Sequence, residues 1–277
     1  MSADFPLAVR RIAHHGATGL HTHDFTELVV ILGGRGVHFS NDGEYEVSAG
    51  DAFVVGAAHG YRDTDGLELV NILFNPRRLG LPLAEARKLP GYHAFFALEP
   101  QYRRQHRFES CLHLDFESLS EISELIILLE SELRRRGSGY EFFATTLLME
   151  LIGRLARAYE RMQGGASRPL IRLGAVLSHI EQHHGEPIRL ADLERIAHLS
   201  GSSLLRAFKS ITGHPPMEYV LRLRLRRACE LLATGELNVT ETAYRVGFGD
   251  GNYFTRQFHR VIGCTPRDYV RRVRTAG

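Results

Sequence analysis

The chain has 277 residues, of which 44% are hydrophobic, and a formal net charge of +2. This length is enough for two domains with cores of their own, while no apolar run approaches the ~20 residues of a membrane span. The three cysteines are odd in number and widely spaced, which argues against a disulfide framework or a cysteine zinc site. The first residues, MSADFPLAVRR, lack the apolar run of a secretory signal, so a cytoplasmic protein is expected.

The first part of the chain, residues 1–114, is expected to form an all-β domain. Short runs rich in β-branched and aromatic residues are separated by turn-forming residues at 33–34, 41–43 and 49–51; the runs are ELVVIL, GVHFS, YEVS, AFVVG and LELVNILF. Many short strands with such turn signals are typical of a sandwich or a barrel. The prolines and aromatics of residues 75–114 predict loops with short helices.

Two amphipathic stripes in residues 115–162 predict a pair of helices. The first stripe recurs at three- and four-residue steps through Leu119, Ile122, Leu125, Ile126, Leu129 and Leu133. The second consists of Phe143, Leu147, Leu151 and Leu155. Gly137 is expected to cap the end of the first helix. A short Gly-Ser turn between the helices makes an antiparallel hairpin, which can cover the β domain, form a dimer interface, or do both. The small and polar residues QGGASRP at 163–169 indicate a linker.

The last part of the chain, residues 170–277, contains one helical pattern twice. The two copies are Leu190–Tyr219 and Asn238–Tyr269, and each predicts a helix, a tight turn and a second helix, which is the form of a helix-turn-helix. From Leu170 onwards there are 16 Lys and Arg against 10 Asp and Glu, whereas the preceding residues have 18 against 22. A basic, all-α region with two such units predicts a domain that binds double-stranded DNA.

The outward faces of the two second helices supply the candidate DNA contacts. Ser200 and Gly201 are expected to form the turn of the first unit. In this unit Leu204 and Phe208 are expected to face inward, as Phe254 and Phe258 are in the second. Arg suits guanine, Asn suits adenine, and Thr can contact a thymine methyl group or a phosphate. The candidates are Ser202, Ser203, Arg206, Lys209, Asn252, Thr255 and Arg256, with Arg224 and Arg226 of the joining helix as phosphate contacts.

The second unit, GFGDGNYFTRQFHRVIGCTPRDY, resembles the signature of the AraC family of bacterial transcription regulators. The first unit is similar to that family's first helix-turn-helix through LLRAFKSITGHPPMEY, and the resemblance covers about residues 172–272. It implies two recognition helices in successive major-groove segments, about 34 Å apart. It also implies a homodimeric activator that works with RNA polymerase. Ser202 and Leu205 depart from the residues often used for base contact, which leaves Arg206 as the main base-reading candidate of this unit.

A second group of residues lies in the β region and suits a binding site. His21 and His23 are two residues apart, and Glu27 keeps the same parity, so a continuous strand would place all three on one face. With His59 they form a mixed nitrogen and oxygen set for a divalent metal. The spacing from His21 to Gly34 resembles the first cupin motif. The segment Gly50–His59 resembles the second motif, with Ala49 in place of its usual proline. This resemblance implies a small cupin-type barrel.

The role of this group is open between two alternatives. One is a metal site at His21, His23, Glu27 and His59, which is the only cofactor that the sequence suggests. The other is a pocket for a small effector, as in AraC-family sensor domains, lined by His21, His23, Glu27, His38, His59 and Tyr61. The stretch HDFTELVVILGGRGVHFSNDGEYEVSAGD, with DTDGLELVNILF after it, most resembles the rhamnose-responsive regulators, which implies a sugar and specifically a deoxyhexose.

The favoured interpretation is therefore a regulator with a sensing domain, a dimerising hairpin and a DNA-binding domain, with no enzymatic activity. Two rival interpretations remain. One is a metal-dependent cupin enzyme with a DNA-binding tail, in which His38 and Tyr61 are the candidate catalytic groups. The other is a constitutive DNA-bending protein without an effector, whose barrel would be filled by its own side chains.

Overall fold

A computed structural model describes residues 5–41, 43–55, 58–103, 111–162, 165 and 167–276. The chain divides into two compact units, Met1–Ala175 and Val176–Gly277, and each is described by itself. No helix in the described part combines the length and apolar composition that a membrane span requires.

The first unit contains one seven-stranded antiparallel sheet. Its strands are β1 (Leu7–Ile12), β2 (Thr18–His21), β3 (Thr26–Ser40), β4 (Gly43–Ser48), β5 (Asp51–Val55), β6 (His59–Phe74) and β7 (Leu112–His113). The order is β1-β6-β3-β5-β7, with β2 paired to β6 and β4 paired to β3. The expected all-β character of this region is confirmed.

Strands β3 and β6 form a long two-stranded ribbon, paired from Thr26 opposite Phe74 to Ser40 opposite His59. The expectation that the glycines at 33–34 separate two strands is wrong, because β3 runs through them with register shifts between Ile31 and Val37. Gly34 and the facing Gly66 both have positive φ, at 68° and 58°. A Cβ on Gly34 would collide with the Gly66 carbonyl group. The chain thus forms a corner where only glycine fits.

The core of the sheet shows that the ribbon folds over at this corner. Buried side chains from both ends of the ribbon belong to one hydrophobic cluster, formed by Val29, Ile31, Val47, Phe53, Val55, Tyr61, Leu67 and Leu69. Val29 lies before the corner on β3, whereas Tyr61 pairs with the far end of that strand. The two halves of the sheet therefore pack face to face with side chains between them.

Helices complete the first unit. A 3-10 turn (Ala86–Lys88), α1 (Pro90–His93), a π-helical turn (Ala94–Leu98) and α2 (Glu99–Tyr102) follow β6, as expected for a region of short helices. The hairpin consists of α3 (Phe116–Arg135) and α4 (Tyr140–Arg161). Asp115 caps the start of α3, because its carboxylate accepts a hydrogen bond from the Ser118 amide at 2.8 Å.

Two details of the hairpin differ from expectation. The left-handed residue that ends α3 is Arg136, with φ at 48°, and not Gly137. The buried face of α4 is Ala144, Leu148, Leu151, Ile152, Leu155, Ala156 and Tyr159. Phe143, which the stripe placed on that face, is 53% exposed. The buried stripe of α4 begins one residue later, at Ala144. The sequence of α4 has apolar residues on two faces, so the pattern alone does not show which face is buried.

The second unit is all-α, as expected. Helix α5 (Ser167–His183) begins within the predicted linker, whose residues 163, 164 and 166 lie outside the described part, and it ends in the second unit. The repeats are α6 (Leu190–Ala197) with α7 (Gly201–Thr212), and α9 (Val239–Arg245) with α10 (Gly251–Ile262). Helix α8 (Pro216–Thr234) joins them and α11 (Pro266–Ala276) follows.

Replacing Gly34 by alanine should lower the stability of the first unit by at least about 2 kcal/mol, because a side chain there meets both an unfavourable φ and the Gly66 backbone. The midpoint of urea unfolding, followed by tyrosine fluorescence, measures this. Gly16→Ala is the matched control, since its Cβ would meet nothing within 4 Å, and it should stay within ~0.5 kcal/mol of wild type. Equal stabilities for the two variants would contradict the corner.

Candidate functional sites

A histidine and carboxylate cluster lies where the two ends of the ribbon meet. Glu27 is near the start of β3, His59 is the first residue of β6, and His23 lies between β2 and β3. The Glu27 Oε2 atom is 2.7 Å from His23 Nε2 and 3.3 Å from His59 Nε2. One potential ligand atom from each of the three residues lies within 4.8 Å of the others. Glu27 and His59 are almost fully buried, with 4% and 2% of their side chains exposed.

The local structure differs from the expected single strand. Because β2 ends at His21 and β3 begins at Thr26, His23 belongs to a loop and reaches Glu27 without sharing its strand. His21 is exposed, its Nδ1 lies 3.1 Å from the Gly19 carbonyl, and its ring packs 4.4 Å from that of His59. Within the described residues, His21 thus borders the group of three and is not part of it.

Hydrogen bonding fixes the tautomer of a neutral His23. Its Nδ1 lies 2.8 Å from the Phe25 carbonyl oxygen, which can only accept, so Nδ1 carries the proton. The ring also stacks on Phe25 with 4.2 Å between centroids. In the neutral ring, Nε2 therefore presents a lone pair. Despite their short distances to Glu27, neither His23 Nε2 nor His59 Nε2 makes a well-directed hydrogen bond, and both atoms are buried.

Glu27 is negatively charged at neutral pH. Burial by itself would raise the pKa of its carboxyl group, but the imidazoles of His59, His23 and His21 outweigh this effect and hold the pKa below its usual value. Two unsatisfied imidazole nitrogens beside one carboxylate fit a divalent metal ion of the borderline class. The same atoms fit the hydroxyl groups of a small molecule, which both donate and accept hydrogen bonds.

His38 and Tyr61 lie beside this cluster and are called its floor. Both side chains are polar but uncharged. His38 Nε2 lies 3.3 Å from His59 Nδ1, while His38 Nδ1 and the Tyr61 hydroxyl group are buried without a partner. Burial lowers the pKa of His38 to about 2, and the charges of His59 and Arg103 act in the same direction. Burial raises the pKa of Tyr61, so its hydroxyl group stays protonated.

Three residues near the cluster were missed by the sequence analysis. Arg103 donates to the Val54 carbonyl at 2.6 Å and to Glu99 at 2.7 Å, and its guanidinium lies 5.4 Å from the Phe53 ring centre. His15 packs its ring 4.6 Å from that of Tyr61. Glu99 and Arg103 lie four residues apart on α2 and its C-terminal cap, His15 lies between β1 and β2, and no motif in the sequence connects them to the site.

The first recognition helix, α7, presents its polar face as expected. Leu204 and Phe208 are fully buried, whereas Ser202, Arg206 and Lys209 are exposed. Ser203 is half-buried, and its hydroxyl lies 3.0 Å from that of the capping residue Ser200. The turn before the helix differs from expectation, because its left-handed residue is His198 with φ at 52°. Gly201 instead begins the helix, close against Glu194.

The second recognition helix, α10, has the same arrangement. Phe254 and Phe258 are fully buried, and Asn252 and Arg256 are exposed. Thr255 is half-buried, and its hydroxyl group donates to the Gly251 carbonyl at 2.9 Å. Tyr253 and Arg260 are also exposed on α10, and the sequence analysis did not single them out. A helical projection would have placed both beside the chosen residues.

The cations of the two recognition helices are free of acidic partners. In the described part of the chain, Arg206, Lys209, Arg256 and Arg260 form no ion pair with a carboxylate. By contrast, Arg222 and Arg227 of α8 are paired with Glu218 and with Glu181 and Glu230, respectively. The exposed cations of α7 and α10 are therefore available to contact phosphates or bases.

Arg224 differs from the phosphate contact that the sequence suggested. Its guanidinium donates through Nε to the His184 carbonyl and through Nη2 to the Glu186 carbonyl, each at 2.7 Å. Burial lowers its pKa. Because both donors bind carbonyls that follow the end of α5, the Arg224 side chain holds α8 to that segment. Arg226 remains 53% exposed, with one nitrogen 3.9 Å from Glu181.

Comparison with known proteins identifies the family. A family profile described as the AraC-like ligand binding domain matches residues 7–152, which is more than half of the chain. The chain belongs to the AraC family. A second profile, described as a helix-turn-helix domain, matches residues 193–272 of this AraC-family regulator.

Full-length relatives agree with this assignment. The HTH-type transcriptional activator RhaR of Mannheimia succiniciproducens is 29% identical over 271 residues, which are 97% of this chain and 93% of the relative. The activator RhaR of Yersinia pestis is 30% identical over 275 residues, with 98% and 91% covered. Among solved structures, the DNA-binding domain of AdpA in complex with a target DNA is 28% identical. It covers 38% of this chain and 95% of that one, with a TM-score of 0.37.

This AraC-family regulator is thus a DNA-binding transcription regulator with an amino-terminal ligand-binding domain. The full-length relatives are named transcriptional activators.

Because Arg224 holds α8 to the end of α5, its substitution should reduce stability. Arg224→Lys should lower the stability of the second unit by about 1–3 kcal/mol, because the single ammonium of lysine cannot place donors at the positions of both Nε and Nη2. Thermal unfolding without DNA measures this, with Arg222→Lys as the control that should change little. An Arg224→Lys variant of unchanged stability but weakened DNA affinity would instead make this residue a phosphate contact.

Proposed function

We propose that this regulator activates transcription from a promoter when a neutral sugar binds in its β domain. The observation that carries the proposal is the set of buried, unpartnered polar atoms at the cluster and its floor, on His23, His38, His59 and Tyr61. In this proposal, residues 1–114 sense the effector, 115–162 dimerise, 163–169 link, and 170–277 bind DNA. The protein acts in the cytoplasm and contacts RNA polymerase, as suits relatives that are named activators.

The proposed DNA interface consists of the outward faces of α7 and α10. Arg206, Asn252 and Arg256 read bases, because their exposed side chains have the donors and acceptors that guanine and adenine edges require. Ser202, Ser203, Lys209 and Thr255 contact the backbone or neighbouring base edges, and Arg226 contacts phosphate. Arg224 supports this surface indirectly by fixing α8 to the end of α5.

Arg256→Ala should cost about 1–3 kcal/mol of specific binding and relax the preference at one base position. Arg226→Ala should weaken all sequences about equally and reduce the salt dependence, because one phosphate contact is lost. Selection from randomised operators, combined with affinity measurements over a range of salt concentrations, separates these effects.

Arg134→Ala is the matched control, since Arg134 lies in the last turn of α3, in the other unit. It should change neither affinity nor preference. Unchanged base preference in Arg256→Ala, or an affinity insensitive to salt in the wild type, would count against the proposed interface.

A neutral sugar suits the chemistry of the β-domain site. The Glu27 carboxylate disfavours anionic ligands, while the floor groups His38 and Tyr61 are uncharged. Hydroxyl groups can satisfy lone pairs and N–H or O–H donors together, which an apolar ligand cannot do. The resemblance to rhamnose-responsive regulators makes a deoxyhexose the first compound to test.

Tyr61→Phe and His38→Phe should each reduce affinity for L-rhamnose about tenfold or more, because each removes a polar group from the buried floor. Calorimetric titration of the full chain measures this, with His14→Ala as control because His14 is exposed and lies outside the cluster. L-Fucose, L-arabinose and D-glucose serve as comparison sugars. If none of these sugars binds the wild type at millimolar concentration, the sugar proposal fails.

Homodimerisation through the hairpin is supported by its exposed apolar side chains. Ile127 and Leu128 of α3 and Phe142 and Phe143 of α4 are all more than half exposed. Large apolar side chains grouped at a surface mark interaction sites, because water would otherwise contact them. A second copy of the chain is the partner that a regulator with two DNA-reading units suits best.

The rival cupin-enzyme interpretation is less well supported. General acid–base catalysis favours groups whose pKa lies near the working pH. Burial holds the pKa of His38 far below that range and the pKa of Tyr61 above it. These are the two residues that the sequence suggested as catalytic groups, and their environment suits binding. Proton NMR of the sugar during incubation with the protein tests for turnover, and conversion would favour the enzyme.

A further inference from the structure

The arrangement around Glu27 is electrostatically incomplete. A neutral His23 has its proton on Nδ1, so the Nε2 lone pair faces the Glu27 carboxylate oxygen 2.7 Å away. Two sets of lone-pair electrons at this distance repel each other. His59 Nε2 approaches the same oxygen from another strand and also lacks a hydrogen-bond partner. A positive charge among the three atoms would convert each repulsion into an attraction.

A divalent metal ion satisfies all three atoms together. Two imidazole nitrogens and a carboxylate oxygen suit zinc, iron, nickel and copper better than magnesium or calcium, which favour oxygen ligands alone. The three atoms already lie within 4.8 Å of one another. Ligands at ~2.1 Å from a tetrahedral ion are about 3.4 Å apart, so only small side-chain movements are needed. Three protein ligands leave coordination positions open to hydroxyl groups.

Metal coordination would also determine the proton positions on the neighbouring histidines. A coordinated His59 Nε2 must carry a lone pair, which places the proton on Nδ1. That proton is then donated to His38 Nε2, 3.3 Å away. Because Nε2 then accepts, the proton of a neutral His38 must be on Nδ1, a buried atom without a hydrogen-bond partner. Without the ion, the opposite arrangement is equally allowed.

We propose that the β domain binds one divalent transition-metal ion through His23 Nε2, Glu27 and His59 Nε2, and that this ion turns His38 Nδ1 into a hydrogen-bond donor for the effector. The proposal rests on the function proposed above, since it concerns the same effector site. The metal and the sugar then bind cooperatively. The ion attracts sugar oxygens directly, and the His59–His38 pair presents a donor to another sugar oxygen.

Metal binding is tested first on the full-length chain after treatment with a chelator. Titration with Zn²⁺ alone, by calorimetry and elemental analysis, should show one tight site, with Ni²⁺ also binding and Mg²⁺ not. Glu27→Gln and His59→Asn should weaken Zn²⁺ binding at least about 100-fold. His14→Ala should retain the tight site and thereby distinguish it from binding to exposed histidines.

Coupling to the effector is tested next. In the wild type, Zn²⁺ should raise the affinity for L-rhamnose at least about tenfold. His38→Phe should retain the zinc site within about 100-fold of wild type but lose this enhancement. Nitrogen-15 NMR of the imidazoles needs no variant for its main result. On addition of Zn²⁺, His59 Nε2 should shift as a metal ligand and His38 Nδ1 should become protonated.

Each outcome decides between the proposals. A wild type whose Zn²⁺ affinity equals that of Glu27→Gln and His59→Asn overturns the metal site. If that wild type still binds the sugar, the proposed sensing function stands without a metal. A tight zinc site with sugar affinity unchanged by the metal overturns the coupling. Tight zinc binding with no binding of any tested sugar overturns the sugar effector and leaves a metal-responsive regulator.

Discussion

The sensing site depends on the pairing of β3 with β6 and on the corner within that ribbon. His59 pairs with Ser40 on β3. Glu27 and Ser40 are 13 residues apart, which is about 43 Å along an extended strand. The Glu27 and His59 side chains nevertheless approach to 3.3 Å. Only a ribbon that folds back on itself can achieve this. Its fold depends on Gly34, where a side chain would collide with the Gly66 backbone, and on the positive φ of both glycines.

Local patterns explain what the sequence could predict. The buried pairs Leu204 with Phe208 and Phe254 with Phe258 follow from helical spacing, and so does the exposure of Arg256 on the opposite face. The corner was not predictable in this way. A Gly-Gly pair is equally compatible with a hairpin turn and with a bulge inside one strand, and only tertiary packing decides. The register shifts there also change strand parity, so Glu27 and His38 are both buried although their numbers differ in parity.

The chemistry of the site follows from burying charge beside neutral polar groups. A buried carboxylate is costly unless neighbouring donors or cations stabilise it, and the imidazoles of His23 and His59 beside Glu27 do so only when they are protonated towards it or share a cation with it. Nearby, the buried Arg103 pairs with Glu99 and also donates to the Val54 carbonyl, which ties the sheet to the short helices after β6. This ion pair thus joins the sheet and the short helices close to His38, whose Nδ1 atom is buried without a partner.

The two arginines at 224 and 226 show why charge in a sequence must be assigned residue by residue. Both lie on α8 and both suggested phosphate contacts. Arg224 donates to two carbonyls at the end of α5, whereas Arg226 remains exposed. Arg224 is partly buried and hydrogen-bonded within the fold, and acidic partners neutralise Arg222 and Arg227. The exposed cations of α7 and α10 have no acidic partner in the described part of the chain, and so the recognition helices themselves can attract the duplex.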